Sequence, residues 1–512
     1  MAKAEPQLSN GLLDDVDMGE VEANKVTWEA DWKPATQIRL RVKRAFLGWA
    51  SVARRLAAPF RPKGAGFNAS SRNKDLLRPT AWLDGLRGFA ALLVYWHHHE
   101  LWAHDGAKQS HFLEHGFAYE GNYHFAALPF VRSFFTGGHY AVSVFFVISG
   151  YVLSSKPLSL IHERDYVKLG DNVASALFRR WLRLYLPFIA TTFVYMSLWH
   201  VLGLWIIDTN RQKTWPNEVW NWYAEFKNFS FVFNTGGNPW FSYNFHLWSI
   251  PVEFKGSIVV YTSLLAFSRC SKSARLWCET ALIFYFMYIS DAWYCAMFVS
   301  GMLICDLDLL AKKQQLPPVL SRLSSIKKFI FYHLLALSLY LGGVPEANRD
   351  MQSLRKMRGW YYLSFLKPQA FFDGKWFYLF WAASLLVASV PRIPWLKAFF
   401  EGGFCQYLGR ISYSLYLVHG PVLWTLGDRF YTAAGWHQEA QLFHLKHWAD
   451  KFGLPMAGPL GLEVSFLLPQ IVLLPVTIWL AEIVTRAIDE PSVKFAQWLY
   501  SKMLPRAPAV KE

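Results

Sequence analysis

Charge is scarce in this chain of 512 residues: Asp, Glu, Lys and Arg together make up only 17%, where a soluble globular domain carries about a quarter. That shortfall excludes a compact soluble enzyme, because too little charge is available to coat its surface. The 53% hydrophobic content excludes a disordered chain. Cysteine is scarce as well. Cys270, Cys278, Cys295, Cys305 and Cys405 lie in or beside apolar runs without metal-type spacing, so neither a disulfide framework nor a zinc site is expected. The N-terminus lacks a basic segment followed by a short apolar stretch, so no cleavable signal peptide is expected. Aromatic residues, in contrast, are abundant. The 41 Phe, 25 Trp and 24 Tyr exceed what one soluble core needs. The mean hydropathy is only +0.14, yet the polar residues are gathered at the N-terminus and in short tracts between long apolar runs. These features predict an integral membrane protein.

Ten apolar stretches follow one another from Leu83 onward, at roughly 83–102, 139–155, 181–206, 247–267, 276–290, 292–310, 328–343, 374–390, 405–426 and 463–487. Crossing a hydrocarbon core of ~30 Å takes about 20 helical residues, so about ten transmembrane helices in an all-α membrane protein are expected. The net charge of +15 is not a nucleic-acid patch. Lys and Arg concentrate in the N-terminal region, in alternate loops and in the C-terminal tail, which places both termini in the cytoplasm by the positive-inside rule. The loop 344–373 dissents, with Arg349, Arg355, Lys356, Arg358 and Lys367 on the predicted outer side. The chain thus divides into a cytoplasmic tail over 1–78, a transmembrane domain over 79–490 and a cytoplasmic tail over 491–512. Within the first, a disordered acidic stretch precedes Ile38, Val42, Phe46, Trp49, Val52, Leu56 and Phe60. Their spacing, with arginines between them, predicts a basic amphipathic helix resting on an anionic membrane face or packed on the membrane domain. Pro59, Pro62, Gly64 and Gly66 read as a linker.

An ionisable group at the centre of a membrane helix costs about 2.5–3.5 kcal/mol on insertion scales, so the few inside the apolar stretches carry the functional information. The first stretch holds His97, His98 and His99 in succession. They point around most of a helix, so at least one faces the interior, and imidazole suits proton transfer near neutral pH. Three adjacent positions on one helix cannot all ligate one ion, so no metal is expected there. Glu253 lies in the fourth stretch and His419 in the ninth. At about 1.5 Å per residue, His98, Glu253 and His419 all fall roughly 21–22 Å from the inner membrane surface, the shared depth a common site requires. Glu253 has an alternative reading as a structural partner of Lys255 or Arg410. Nearer the inner surface stand Arg87 and the run Arg179, Arg180, Arg183. Arginines suit planar, multidentate contacts to phosphates. Snorkelling explains Arg179, but less readily Arg183, which shares a helical face with Arg180 at i, i+3.

These residues resemble the acyltransferase-3 family of multispanning membrane O-acyltransferases, over about residues 78–500. Arg87 and His98 have the spacing of the family's opening motif, a basic residue, ten residues and a His. Phe145-Phe146-Val147-Ile148-Ser149-Gly150-Tyr151 is similar to its second-span motif, and Arg180-Trp181-Leu182-Arg183 to its Arg-x-x-Arg element. Leu247-Trp248-Ser249 with Val252-Glu253 resembles its Trp-Ser-x-x-x-Glu signature. Ser412-Tyr413-Ser414-Leu415-Tyr416-Leu417-Val418-His419 is similar to its late Ser-Tyr-x-x-Tyr-x-x-His motif. Five such motifs in order are specific where any one is weak. The aromatic spans and long tail look most like fungal members. Two departures stand out. Phe254 and Lys255 follow Glu253 where many members have a second polar or acidic residue, and nothing reads as the fused hydrolase-like domain of some bacterial members.

The resemblance implies an acyl-CoA donor substrate bound from the cytoplasm, no other cofactor, and transfer to a hydroxyl of a carbohydrate or a secondary metabolite. It implies His98 as the catalytic base or acyl acceptor, Glu253 and His419 as its assistants, and Arg87, Arg180 and Arg183 as donor-binding residues. The chain is then a multi-pass protein of an endomembrane or the plasma membrane. The rival reading is a proton-coupled transporter using His98, Glu253 and His419 as a relay. It calls for paired repeats, and residues 83–310 share no internal similarity with 328–487. A non-catalytic scaffold leaves the intramembrane ionisable groups without a purpose.

Overall fold

The computed structural model describes residues 78–505 apart from 107, 208, 210, 234–239 and 347–350, so the amphipathic helix expected over 38–60 lies outside the described residues. Within them the chain is helical throughout, with no strand. Each of the ten apolar stretches lies on a helix: α1 Ala81–Asp105, α2 Gly138–Glu163, α3 Tyr166–Leu202, α4 Ser249–Phe267, α5 Lys272–Tyr288, α6 Trp293–Lys312, α7 Lys327–Gly342, α8 Lys375–Ser389, α9 Gly403–Val422 and α10 Val464–Val484. Five helical segments, containing α2, α3, α4, α6 and α10, are long and apolar enough to cross a membrane. The sixth candidate is α8, which extends to Arg392 and meets Pro394–Phe400 at a bend of 100°. With 25 and 20 residues, α1 and α9 are long enough but too polar to qualify. These two carry most of the histidine and hydroxyl groups singled out above. Large apolar side chains stay exposed on the outside of the bundle, among them Leu198, Trp277, Phe284 and Ile471. Contiguous apolar exteriors on apolar helices mark an integral membrane protein.

Local chemistry sets the helix ends. The side chain of Asp165 accepts a hydrogen bond from Lys168 N at 3.1 Å and caps α3. Arg164, at φ +61°, closes α2 two residues before α3 begins. The last turn of α9 runs into a π-turn, Leu423–Gly427, and α10 into another, Thr485–Asp489. Helix α11, Glu490–Met503, continues from the second one. It occupies the segment expected as a C-terminal tail and packs on α3, where Tyr500 lies 5.3 Å from Phe178.

Contacts between loops show that successive helices run in alternating directions. The loops after α1, α5, α7 and α9 share one face: Glu346 N donates to Glu114 O at 3.0 Å, Phe372 N to Asp291 at 3.2 Å, and His104 lies 3.0 Å from Glu463. On the opposite face Gln406 donates to Ala81 O at 2.7 Å, and Lys272 to Gln315 O at 3.2 Å. The basic loop 344–373 therefore sits beside the loop after α1. There Arg355 lies 4.5 Å from the ring of Phe365 and Arg358 lies 5.7 Å from that of Tyr123, so two of its cations have aromatic partners on that face.

Glycine sets the spacing of the two tightest helix pairs. A Cβ on Gly88 of α1 would stand 2.2 Å from Gly409 N of α9, and one on Gly409 would stand 2.4 Å from Asp84 O. In the α2–α6 pair, a Cβ on Gly150 would meet Phe298 O at 1.9 Å, and one on Gly301 would meet Val147 O at 2.0 Å. Membrane helices associate largely through such packing, because lipid offers no hydrophobic penalty for separation. Replacing Gly301 by Ala forces the α2 and α6 backbones apart at an expected cost of about 1–3 kcal/mol. This should appear as a lower unfolding temperature in detergent, and an unchanged temperature would show that the two backbones do not approach this closely.

Candidate active site

Helix α1 directs its three consecutive histidines to three different neighbours. His99 turns toward α10, with Nδ1 at 2.7 Å from the Tyr431 hydroxyl and 3.4 Å from Gln470, which also accepts from Tyr95 at 2.7 Å. His97 turns toward the start of α2, where Gly138 is required because a Cβ there would lie 2.4 Å from the imidazole ring. Beside it Glu346 pairs with His139 at 2.8 Å and lies 4.0 Å from His97. Burial would raise the pKa of Glu346, but His139 and His97 outweigh it and hold the carboxyl below its usual range.

His98 faces the interior. Its ring stacks on His246 with centroids 3.6 Å apart and lies 5.3 Å from His419, while His246 and His419 are 5.0 Å apart and nearly parallel at 7°. The backbone carbonyl of Tyr416 can only accept, so His419 Nδ1, at 2.8 Å from it, carries the proton. Its Nε2 is then a lone pair, buried and without a hydrogen-bond partner among the described residues. The sequence reading missed His246. It stands on the short turn Phe245–Trp248 that leads into α4, two residues before the Trp-Ser signature. That proximity was the only signal, since nothing in periodicity marks a residue on a turn.

Among the described residues, two groups of side chains come close enough to hold a cation: His98, His246 and His419, and separately His97, His139 and Glu346. In the first group the rings stack face to face, with His246 between His98 and His419 as the nearest neighbour of both. It is a cluster suited to exchanging protons with a hydroxyl.

The arginines gather in a second compartment. A cavity of about 130 Å³ is lined by Arg87, Arg180, Arg183 and Glu253, with Phe145, Phe146 and Ser149 of α2 in its wall. Arg180 and Arg183 share it because i and i+3 share a helical face. Arg179, one residue off that face, donates to Ser175 O at 3.1 Å instead. Arg180 is fixed twice, by Ser257 Oγ at 2.8 Å and by a short hydrogen bond to Glu253. Glu253 thus belongs with Arg180, whereas Arg410 pairs with Glu482 and Glu490. The depth estimate that set Glu253 level with the histidines does not hold: Glu253 shares a cavity with Arg87, eleven residues before His98 on α1, and stands seven residues, or about 10 Å, beyond His246. Height along a helix, known from sequence to roughly 5 Å, does not separate neighbouring compartments. Asp489, on the π-turn after α10, was also missed. It is buried with neither oxygen hydrogen-bonded among the described residues, and it acts electrostatically on Arg183 and Arg87.

The motifs meet in space. Ser249, from the Trp-Ser signature, lies 2.7 Å from the Tyr416 hydroxyl, from the late motif. Arg87 of the opening motif lines the same cavity as Arg180 and Arg183.

A family model described as an acyltransferase domain, of the acyltransferase-3 type, matches residues 80–485. The chain is 30% identical to O-acetyltransferase PaAT-1 of Phomopsis amygdali over 487 residues, covering 86% of this chain and 88% of that protein. It is 21% identical to acyltransferase clz18 of Cochliobolus lunatus over 404 residues, covering 69% of this chain and 84% of the relative. No solved structure matches.

Removing one member of a largely buried ion pair strands the other, at about 3–5 kcal/mol. The Arg180 and Glu253 side chains are only 9% and 16% exposed. Glu253→Ala should therefore destabilise strongly, and adding Arg180→Met should recover part of the loss. The check is a double-mutant cycle on detergent unfolding temperatures. Strictly additive losses would show that the two charges are independent.

Proposed function

The chain belongs to the acyltransferase-3 family, and on that footing we propose that it is a membrane-bound O-acyltransferase. It moves an acyl group from acyl-CoA to a hydroxyl of a carbohydrate or secondary metabolite. The observation that carries this reading is the pairing of two unlike compartments: stacked histidines, of which His419 has its tautomer set, beside a cavity lined by three arginines. The first suits proton transfer at a hydroxyl, the second the phosphates of a nucleotide-bearing donor. PaAT-1 is an O-acetyltransferase, which favours acetyl-CoA among the donors.

His98 takes the proton of the acceptor hydroxyl as its oxygen attacks the thioester carbonyl, or accepts the acyl group first and passes it on. In either order the carbon–sulfur bond breaks and the departing thiolate receives the proton, so the imidazole is regenerated. His419 holds a lone pair toward the same space and shares the proton. General-base assistance supplies about 10²–10⁴-fold, and the positioning of the thioester by bound phosphates supplies the remainder. Glu253 contributes by setting the direction of Arg180. With ten crossings by alternating helices the two termini share one side, which the distribution of Lys and Arg makes the cytoplasm in this reading. In that orientation the arginine compartment, at the start of the third apolar stretch, receives the donor from the cytoplasmic side.

The test is CoA release and ester formation by purified protein, scanning acyl-CoA length against candidate acceptors. His98→Ala should lower turnover at least about 100-fold, and near wild-type turnover would remove this residue from the chemistry. Arg183→Ala should raise the acyl-CoA KM about tenfold with a smaller change in kcat. An unchanged KM would count against phosphate binding there.

A further inference from the structure

The arginine cavity and the histidine cluster are separate volumes. The first measures about 130 Å³. The second, bounded by His97, His98, His139, His246 and Trp248, measures about 20 Å³, room for little more than one water or one hydroxyl. Among the described residues, Tyr416 alone lines both. Its hydroxyl donates a short hydrogen bond to the carbonyl of His246, and Ser249 Oγ lies 2.7 Å away as its second partner. One phenol thus ties α9 to the turn that carries His246. His246 in turn stacks on His98. Tyr416 itself is buried, and its ring lies 5.7 Å from that of His419 one helical turn away.

From this arrangement we propose that Tyr416 is the partition between the donor and acceptor compartments, with two separable duties. Its hydroxyl positions His246 against His98. Its ring keeps the thioester apart from the water-sized histidine pocket except where the reacting hydroxyl sits. The proposal rests on the acyl-CoA reading above. If the ring is lost, the two volumes join and water can take the acceptor's place. The water oxygen then attacks the thioester carbonyl, the carbon–sulfur bond breaks, a proton passes to the thiolate, and free acid and CoA result. Excluding water from a closed site is what protects a reactive acyl group from this loss. Tyr416 thereby governs how CoA release divides between ester formation and hydrolysis.

The experiment compares wild type, Tyr416→Phe and Tyr416→Ala in detergent with acetyl-CoA. It measures CoA released with and without acceptor, ester by mass spectrometry, and the unfolding temperature of each protein. Tyr416→Ala should raise hydrolysis relative to ester about tenfold. Tyr416→Phe keeps the ring, so its ratio should stay near wild type. Its kcat should fall about tenfold, because the His246 turn is released while the acyl-CoA KM is kept. A wild-type ratio in a folded Tyr416→Ala protein overturns the partition. If that variant does not fold, Tyr416→Phe decides: an unchanged kcat overturns the positioning role, and a hydrolysis ratio as high as that expected for the alanine variant overturns the role of the ring. Absence of CoA release by wild type with every acceptor would overturn the acyl-CoA reading and this proposal together, whereas wild-type transfer with unaltered coupling in the variants overturns the partition alone.

Discussion

The close approach of α1 to α9, set at Gly88 and Gly409, is the contact on which both compartments depend. Helix α1 brings Arg87 to one cavity and His98 to the other. Helix α9 brings Tyr413 and Tyr416 to the first cavity and places His419 beside His98. Any side chain between the two backbones would move them apart by more than the tolerance of a stacked or hydrogen-bonded pair. The glycines are thus part of the site, although neither carries a functional group. A helix as polar as α1 or α9 is also costly to place among lipids, and each is shielded by pairing closely with the other and with α2 and α10.

Several charged groups in the bundle are accommodated by partners from distant parts of the chain. Arg180 finds Glu253 and Ser257, Arg275 finds Asp306 and His162, and His104 finds Glu463. Most are pairs in which removing one member costs more than the pair contributes. Among the buried atoms without a hydrogen-bond partner in the described residues, Nε2 of His419 and Nδ1 of His246 both lie at the histidine cluster, while others, such as both oxygens of Glu279, lie elsewhere in the bundle.

Much of this was legible in the sequence because it is periodic or local. Each of the ten apolar stretches lies on a helix, since apolar length is what burial in a bilayer demands, while five or six of these helices are long and apolar enough to cross one. Arg180 and Arg183 were readable as one face from their spacing alone. The cost of an intramembrane imidazole singled out His98 and His419. What was not legible depends on how helices meet sideways. Counting along α4 from an assumed membrane edge placed Glu253 level with His98, but the packing of α3 on α4 sets it beside Arg180, seven residues beyond His246. His246 and Asp489 stand on a turn and a π-turn, where no regular period signals an inward side chain. The basic loop 344–373 looked anomalous in part because one cation–π partner, Tyr123, which meets Arg358, lies far away in sequence.

The central claim is that the donor occupies the arginine compartment and its acyl end meets the histidine pocket of the acceptor at Tyr416. A cryo-electron-microscopy structure with a non-hydrolysable acetyl-CoA analogue tests it most directly. The account predicts the diphosphate within hydrogen-bonding distance of Arg87, Arg180 and Arg183, and the acyl carbonyl at Tyr416 facing His98. An analogue bound elsewhere with the arginine cavity empty, or one whose acyl end points away from the histidines, would contradict it.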